Sequence, residues 1–465
     1  MKKIVLPFLI SLISLAGFGQ EIIGQWNGIL KVQTVQLRLV FTINKTDSGL
    51  SSTMDSPDQG AKGIPVTATS FENSILKITI DNAKIEYEGV LGKDNIIVGN
   101  FKQRGQSFPM NLSKEKIEKP NLVKPQEPTK PYPYYSEEVI FENKKAGINL
   151  AGNLTLPKKD GVFPAVILIS GSGPQNRNEE LLGHKPFLVL SDYLTKNGIA
   201  VLRYDDRGTA LSTGNFKTAT SLDFATDVEA GIDYLKSRKE IDPKKIGLMG
   251  HSEGGLIAPI VASKSTDVAF IVLLAGPGIP GDQLLLLQQK LIGKAAGVSD
   301  EELQKSAVIN RKIFDLVIKS TSVEQLTIDL TTHMRQLLKE GLSGEQLKEM
   351  SDADFAPQIN QVANPWMRYF INYNPESTLE KVTCPVLAIN GENDLQVPPK
   401  ENLEAIKKAL TKGGNRNVTI KELPGLNHLF QECVTGSPTE YSTIEQTFSP
   451  AALIEILNWI KQQTK

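Results

Sequence analysis

Cysteine is nearly absent. Cys384 and Cys433 are the two thiols in 465 residues, so at most one bridge can form, and a disulfide-built fold is excluded. An excess of charge is missing too. Lysine plus arginine number 51 against 52 acids, for a net charge of -1, which gives no electrostatic footprint for nucleic acid. Histidine is scarce: His184, His251, His333 and His428 are all there are, so few side chains can serve as a neutral-pH base. A long membrane-spanning run is also lacking. The apolar stretch Ile4 to Phe18 is short for a span; preceded by Lys2 and Lys3 and followed by small residues, it predicts a secretory signal peptide over 1–19, cleaved near Gln20. No cysteine stands at the cleavage point, so a lipid anchor is not indicated. The expected location is periplasmic or extracellular, with no integral membrane span in the mature chain.

What is present divides into parts, because 465 residues exceed what one core normally supports. Residues 20–113 carry short alternating segments such as Leu37 to Ile43, Ser74 to Ile80 and Ala83 to Gly89, separated by turn formers. They predict a small all-β domain, barrel or sandwich. Its aromatic residues Trp26, Phe41, Tyr87 and Phe101 fit a core better than a ligand groove, since large apolar side chains in one-sided β-structure must be buried somewhere. Residues 114–136 bring five prolines among lysines and glutamates, the composition of a semi-rigid extended linker.

From 137 to 465 the period changes. After an initial hairpin, the continuous apolar runs Pro164 to Ser170, Ile199 to Tyr204, Ile246 to Met249 and Ala269 to Ala275 alternate with helical segments. That rhythm predicts a mostly parallel sheet covered on both faces. Between about 277 and 380 it breaks into helix-like segments, including Glu301 to Ile318, Val323 to Glu340 and Ser343 to Met350. Beyond a carboxyl strand edge they would form a helical cap over the mouth of a site. The sheet resumes at Pro385 to Asn390, then Asn417 to Ile420, and a helix closes the chain over Ala451 to Gln462.

The chemistry is concentrated in Gly250-His251-Ser252-Glu253-Gly254-Gly255, which follows an apolar strand and opens a helix. A serine between glycines at such a junction fits a nucleophile elbow, where the crowded turn demands minimal side chains and exposes the hydroxyl. A serine hydroxyl needs a base, and the base needs an acid to fix its tautomer. His251 adjoins the serine and is turned from it by the elbow. His184 and His333 sit before or within helical segments, whereas His428 lies in Leu423-Pro424-Gly425-Leu426-Asn427-His428, beyond the last strand. The acid should follow the preceding strand, in Gly391-Glu392-Asn393-Asp394; Asp394 is preferred to Glu392 because it stands farther out on the loop. Oxyanion donors are expected from the NH of Glu253 and, in the glycine-rich loop Ser170 to Asn178, from the NH of Ser172, with Gly173 as its neighbour. That loop lacks the lysine and following serine or threonine of a P-loop. In Asp205-Asp206-Arg207-Gly208 the acids have no histidine nearby, so local bonding of Asp206 is expected and no metal or cofactor is implied. Arg207 is a candidate for a substrate carboxylate or, alternatively, for a local acid.

These motifs, with Arg203-Tyr204-Asp205-Asp206-Arg207-Gly208, Ser170-Gly171-Ser172-Gly173-Pro174 and Pro424-Gly425-Leu426-Asn427-His428, resemble secreted bacterial α/β-hydrolases related to serine aminopeptidases and acyl esterases. Some of those proteins also carry a β-rich front domain. The resemblance covers roughly 137–465 and implies an α/β-hydrolase fold with the triad in the order Ser252, Asp394, His428. It departs from such relatives at Ser170, where a histidine is common, at Ala210-Leu211, and at Asn176 and Asn178, often acidic. These changes bear on the acyl or leaving group accepted. The expected activity is a serine carboxylesterase for small to medium acyl esters. A dipeptidyl- or aminopeptidase-like enzyme acting on short peptides is the alternative, with Glu301, Glu302 and Asp354 as candidate amine anchors, and a non-catalytic envelope- or glycan-binding protein is a third reading.

Overall fold

Apolar patterning decides both sheets of the protein, alternating in the first and continuous in the second. The computed structural model describes residues 22–32, 35–47, 49–57, 61–103, 106–117, 124–339 and 351–465. The expected signal peptide over 1–19 and the expected helix Ser343 to Met350 lie outside the described residues, and so does the side chain of Asp354. Two compact units divide the chain, Met1–Asn121 and Leu122–Lys465. No helix among the described residues is long and apolar enough to cross a membrane.

The first unit is an antiparallel sheet of β1 (Gly24–Val32), β2 (Val35–Thr46), β3 (Gly49–Ser56), β4 (Ala61–Pro65), β5 (Ala68–Glu72), β6 (Ile75–Ile80), β7 (Ile85–Leu91), β8 (Ile96–Gln103), β9 (Gln106–Pro109) and β10 (Leu112–Ser113). Its order is β4-β3-β2-β1-β10-β8-β7-β6-β5, with β9 on β8. Along β7, Ile85 and Tyr87 are buried while Glu86 and Glu88 face solvent, the period-2 pattern of a strand with one wet face. β5, at one end of the order, approaches β3, next to the other end, where the Ser52 and Thr69 hydroxyls meet, so the sheet rolls toward a barrel. Trp26, Phe41, Tyr87 and Phe101 are its core, all buried. The buried indole NH of Trp26 is satisfied by the Ile22 carbonyl and the Tyr87 hydroxyl by that of Met110, as burial of such donors requires.

The second unit holds β11 (Tyr135–Asn143), β12 (Ile148–Leu156), β13 (Phe163–Ile169), β14 (Ala200–Tyr204), β15 (Ile241–His251), β16 (Phe270–Leu274), β17 (Val386–Gly391) and β18 (Val418–Leu423) in the order β11-β12-β14-β13-β15-β16-β17-β18. The mostly parallel sheet expected from the sequence is corrected to a mixed one. β11 with β12 and β12 with β14 run antiparallel, and the remaining pairings are parallel. The reason is connectivity: a short turn joins β11 to β12, whereas helices join the later strands, and a helical crossover returns the chain parallel. Ala165, Ile167 and Ile169 of β13 pack on one face with α2 (Ser221–Lys236), α3 (Gly254–Ala262) and α10 (Pro399–Lys412), while Val166 and Leu168 pack on the other with α1 (Pro186–Lys196) and α11 (Pro450–Gln463). Burial on both faces explains the unbroken apolar runs, and each fully buried Leu or Ile contributes roughly 1.5–3 kcal/mol.

Between β16 and β17 come α4 (Gly281–Ala295), α5 (Asp300–Lys319), α6 (Val323–Lys339), α7 (Ala356–Ala363), α8 (Pro365–Asn372) and α9 (Glu376–Leu379). Phe314, Val317, Leu326, Leu330, Phe355 and Ile359 give this insertion its own core. The Asn364 side chain caps α8 by accepting from Met367 NH, with Pro365 at the first helical position. The proline-rich stretch expected as a semi-rigid extended linker over 114–136 is bonded to the second unit from Lys124 onward. Lys124 Nζ donates to the Ile444 carbonyl, the Gln126 side chain bonds the backbone of Thr447 and Phe448, and Glu127 pairs with Lys185. Prolines bar it from a ladder or helix, so its side chains supply the bonds. Both cysteines are free.

Candidate active site

β15 ends against a turn that leaves no room for side chains. A Cβ at Gly250 would lie 1.9 Å from the Gly254 carbonyl oxygen, and one at Gly254 would lie 2.1 Å from that of Ile169. Between them Ser252 adopts φ 52°, a left-handed conformation uncommon for a residue with a Cβ and found where the surroundings hold it in place. Its NH donates to the Leu274 carbonyl at the end of β16 (2.9 Å), and α3 begins two residues on.

The acid and base come from the loops after β17 and β18. Asp394 is buried; its Oδ1 accepts from the NH groups of Gln396 and Val397 (2.8 Å each), and its Oδ2 meets His428 Nδ1 at 2.7 Å. The alternative acid, Glu392, is exposed and accepts from Gly425 NH. The His428 loop is tied from within by the buried Asn427, whose Oδ1 accepts from the NH groups of Leu429 and Gln431. Among the described residues the Ser252 hydroxyl and His428 Nε2 have no hydrogen-bond partner, nor are they among the sealed, unpartnered atoms. Such contacts are often long in a free enzyme and tighten with substrate.

The glycine-rich loop adjoins the elbow. A Cβ at Gly171 would stand 3.2 Å from Ser252 Cβ, so the backbone there is in van der Waals reach of the serine. The amides of Ser172, Gly173 and Glu253 donate to no protein acceptor among the described residues, leaving them available to an anion. Ser170 Oγ and Gln175 NH donate to the Asp206 carboxyl (2.7 and 2.8 Å), so its side chain knits this neighbouring loop, while its carbonyl accepts from Thr209 NH in its own. Burial raises the Asp206 carboxyl from 3.8 to about 8, against the opposing pull of those donors.

Arg207 is corrected. It is buried, and its guanidinium binds Asp227 through Nε at 2.7 Å and Nη2 at 2.9 Å, with Thr226 and the Asp223 carbonyl as further acceptors. Nη1 lies 3.6 Å from Asp223 Oδ1, so the buried guanidinium is committed to local acids, the second of the two readings of this residue. Of the amine anchors considered, Glu302 serves the capping box of α5 with Ser299, and exposed Glu301 pairs with Lys305. No group of three or more potential metal ligands occurs among the described residues.

Three features escaped the sequence. Glu179, at φ 51°, is buried and its Oε1 accepts from Gly171 NH (2.7 Å) and lies 2.9 Å from His251 Nδ1. His251 Nε2 lies 2.9 Å from the His428 carbonyl oxygen, so the histidine turned away from the serine is still part of the site. Glu253 buries its carboxylate, and Oε1 accepts from Ser221 Oγ (2.6 Å) and from Trp366 Nε1 on α8 (2.7 Å). Burial raises its carboxyl, and both donors oppose the shift. The motif exposed Glu253 as a position, but its partners are 32 and 113 residues away, beyond any local signal.

The family described as serine aminopeptidase, S33, matches residues 187–432. Among curated proteins the chain is similar to esterase EstD of Thermotoga maritima, 27% identical over 317 residues; the match covers 66% of this chain and 65% of that relative's length. Solved structures with a similar fold include the α/β hydrolase GrgF of Penicillium sp. sh18, at 16% identity and TM-score 0.44 over 71% of this chain and 99% of that one. The esterase Pf2001 of Pyrococcus furiosus is similar at 16% identity and TM-score 0.41, covering 71% of this chain and 93% of that one.

Proposed function

We propose, from the premise that this chain belongs to the serine aminopeptidase S33 family of hydrolases, that it is an exported serine carboxylesterase for small to medium acyl esters. The observation that carries the reading is the buried Asp394–His428 pair, 2.7 Å apart, with the far imidazole nitrogen left open beside the loops that flank Ser252. In the proposed reaction Ser252 Oγ attacks the ester carbonyl while His428 Nε2 takes its proton, and Asp394 steadies the imidazolium. The NH groups of Glu253 and Ser172 receive the oxyanion. His428 returns the proton to the departing alkoxide, leaving an acyl-serine; water then repeats the sequence and frees the acid.

Ester is preferred to peptide because the acids around the elbow are already engaged. Glu253 accepts from Ser221 and Trp366, Glu179 from Gly171, and Asp206 from Ser170 and Gln175, so each of the three buried carboxyls is already bonded within the site. The similarity to an esterase supports the same choice. Export rests on Lys2, Lys3 and the apolar run that follows.

The test compares short p-nitrophenyl esters, aminoacyl anilides and fluorophosphonate labelling in wild type and Ser252→Ala. Ester turnover and labelling in the wild type, both lost in the variant, are expected. Preferential turnover of anilides would establish the peptidase alternative, and an unlabelled wild type would leave a binding protein.

A further inference from the structure

His251 stands between the two loops that the reaction uses, and its hydrogen bonds can be counted. Nε2 faces the His428 backbone carbonyl at 2.9 Å; a carbonyl only accepts, so this nitrogen carries a proton. Nδ1 faces Glu179 Oε1 at 2.9 Å, an oxygen that already accepts from Gly171 NH at 2.7 Å. With acceptors on both sides, a ring protonated at both nitrogens satisfies every partner, whereas a neutral ring would set a lone pair against a carboxylate oxygen.

We propose that His251 is a positioning residue held as an imidazolium: through Glu179 it fixes the oxyanion loop at Gly171, and through the His428 carbonyl it fixes the loop that carries the base. The two loops leave the sheet after β13 and after β18, far apart in the chain, and this bridge makes them one unit. The inference rests on the esterase reading for what the two loops do, but not for the state of the ring.

The surroundings agree. Glu179 faces His251 from the loop before α1, Asp394 adds negative charge from the loop after β17, and the rings of His428 and Phe430 flank it at 4.8 and 6.4 Å between centroids. Burial of the whole side chain is the largest single influence and opposes its charge, yet the Glu179 carboxylate, the His428 carbonyl and Asp394 together lift the pKa above the ordinary histidine value. Glu179 itself occupies a left-handed backbone conformation at φ 51°, a strain that persists where packing and bonding hold it. Placement of catalytic groups tolerates little slack, since a misplacement of about 1 Å can cost on the order of 10²-fold in rate.

The experiment uses the full chain with ¹⁵N-labelled histidine. Four histidines give four ring systems, and His251 is assigned by the loss of its signals in His251→Phe. At pH 7 the expected result is that both ring nitrogens of wild-type His251 resonate in the protonated range. In Glu179→Gln, Nδ1 moves toward the unprotonated range and kcat on a p-nitrophenyl ester falls about 10-fold with KM little changed. An unprotonated nitrogen on wild-type His251 at pH 7 overturns the proposal, and so does Glu179→Gln with wild-type kcat. The resonances are read without substrate, so failure of ester hydrolysis bears on the functional proposal and the state of the ring on this one.

Discussion

Two acid–imidazole pairs lie side by side in the second unit, and they differ at one atom. Asp394 with His428 and Glu179 with His251 are both buried, at 2.7 and 2.9 Å. In the first pair the far nitrogen has no protein partner among the described residues; in the second it is spent on a backbone carbonyl. A general base needs an open nitrogen within reach of the hydroxyl, whereas a strut needs both nitrogens occupied. Under the proposed mechanism, the histidine adjacent to Ser252 in the chain is therefore the strut, and the distant one the base.

The largest test of that contrast replaces each acid by its amide. Asp394→Asn replaces the acceptor that fixes the His428 tautomer with an amide that can donate, and should lower kcat by about 10⁴-fold, the magnitude found for the same change in serine-protease triads. Glu179→Gln should cost about 10-fold, because it disturbs placement and not the proton transfer. Ester kinetics on both variants measure the ratio. Losses of equal size would erase the distinction between base and strut.

The sequence displays one side of this contrast better than the other. The elbow is legible because its constraint is local: Gly250 and Gly254 are excluded from carrying a Cβ by atoms of the same turn and of the strand beside it. The Asp394 and His428 positions follow from strand ends and a shortage of histidines. Glu179 is not legible, since Asn178-Glu179-Glu180 reads as a solvated run until the folded loop turns one acid inward beside Gly171. Arg207 looked available for the same reason; its partner Asp227 comes from a turn of α2 twenty residues on. The antiparallel pairing of β12 with β14 joins strands separated by β13, which local periodicity does not encode.

Asp206 provides an intermediate test, as an acid buried like the other two but bonded only to neutral donors, Ser170 Oγ and Gln175 NH. With its folded pKa raised from 3.8 to about 8, the native chain binds a proton between about pH 4 and pH 8 that the unfolded chain has released. Stability is then fully present below the unfolded pKa and falls as pH rises through that window. Asp206→Asn should flatten this decline, by on the order of a few kcal/mol across the range, at the cost of about 1 kcal/mol for a lost acceptor. Urea unfolding of both proteins at pH 5 and pH 8 measures it. An identical pH slope in the two would mean that Asp206 is ionised throughout, and that neutral donors hold a buried carboxylate as well as an imidazole does.

The smallest effect is expected at the cap. Trp366→Phe keeps an aromatic ring against Phe370, to which Trp366 stacks at 5.4 Å, but removes the Nε1 donor to Glu253 and leaves Ser221 as that carboxyl's remaining partner. Burial holds the Glu253 carboxyl above its ordinary pKa, so its proton is retained at low pH and lost as pH rises through the raised value. A hydrogen bond to the neutral acid contributes about 0.5–1.5 kcal/mol and one to the carboxylate about 1.5–3 kcal/mol. The stability lost in Trp366→Phe should therefore be near 1 kcal/mol at low pH and grow toward about 2 kcal/mol as the acid ionises. Because Glu253 follows Ser252 directly, a shift of α8 should appear as a few-fold change in KM with kcat nearly unchanged, the mark of lost uniform binding. A large fall in kcat with KM intact would instead make this acid part of the same rigid frame as Glu179 and His251, and extend the strut from the base loop into the cap.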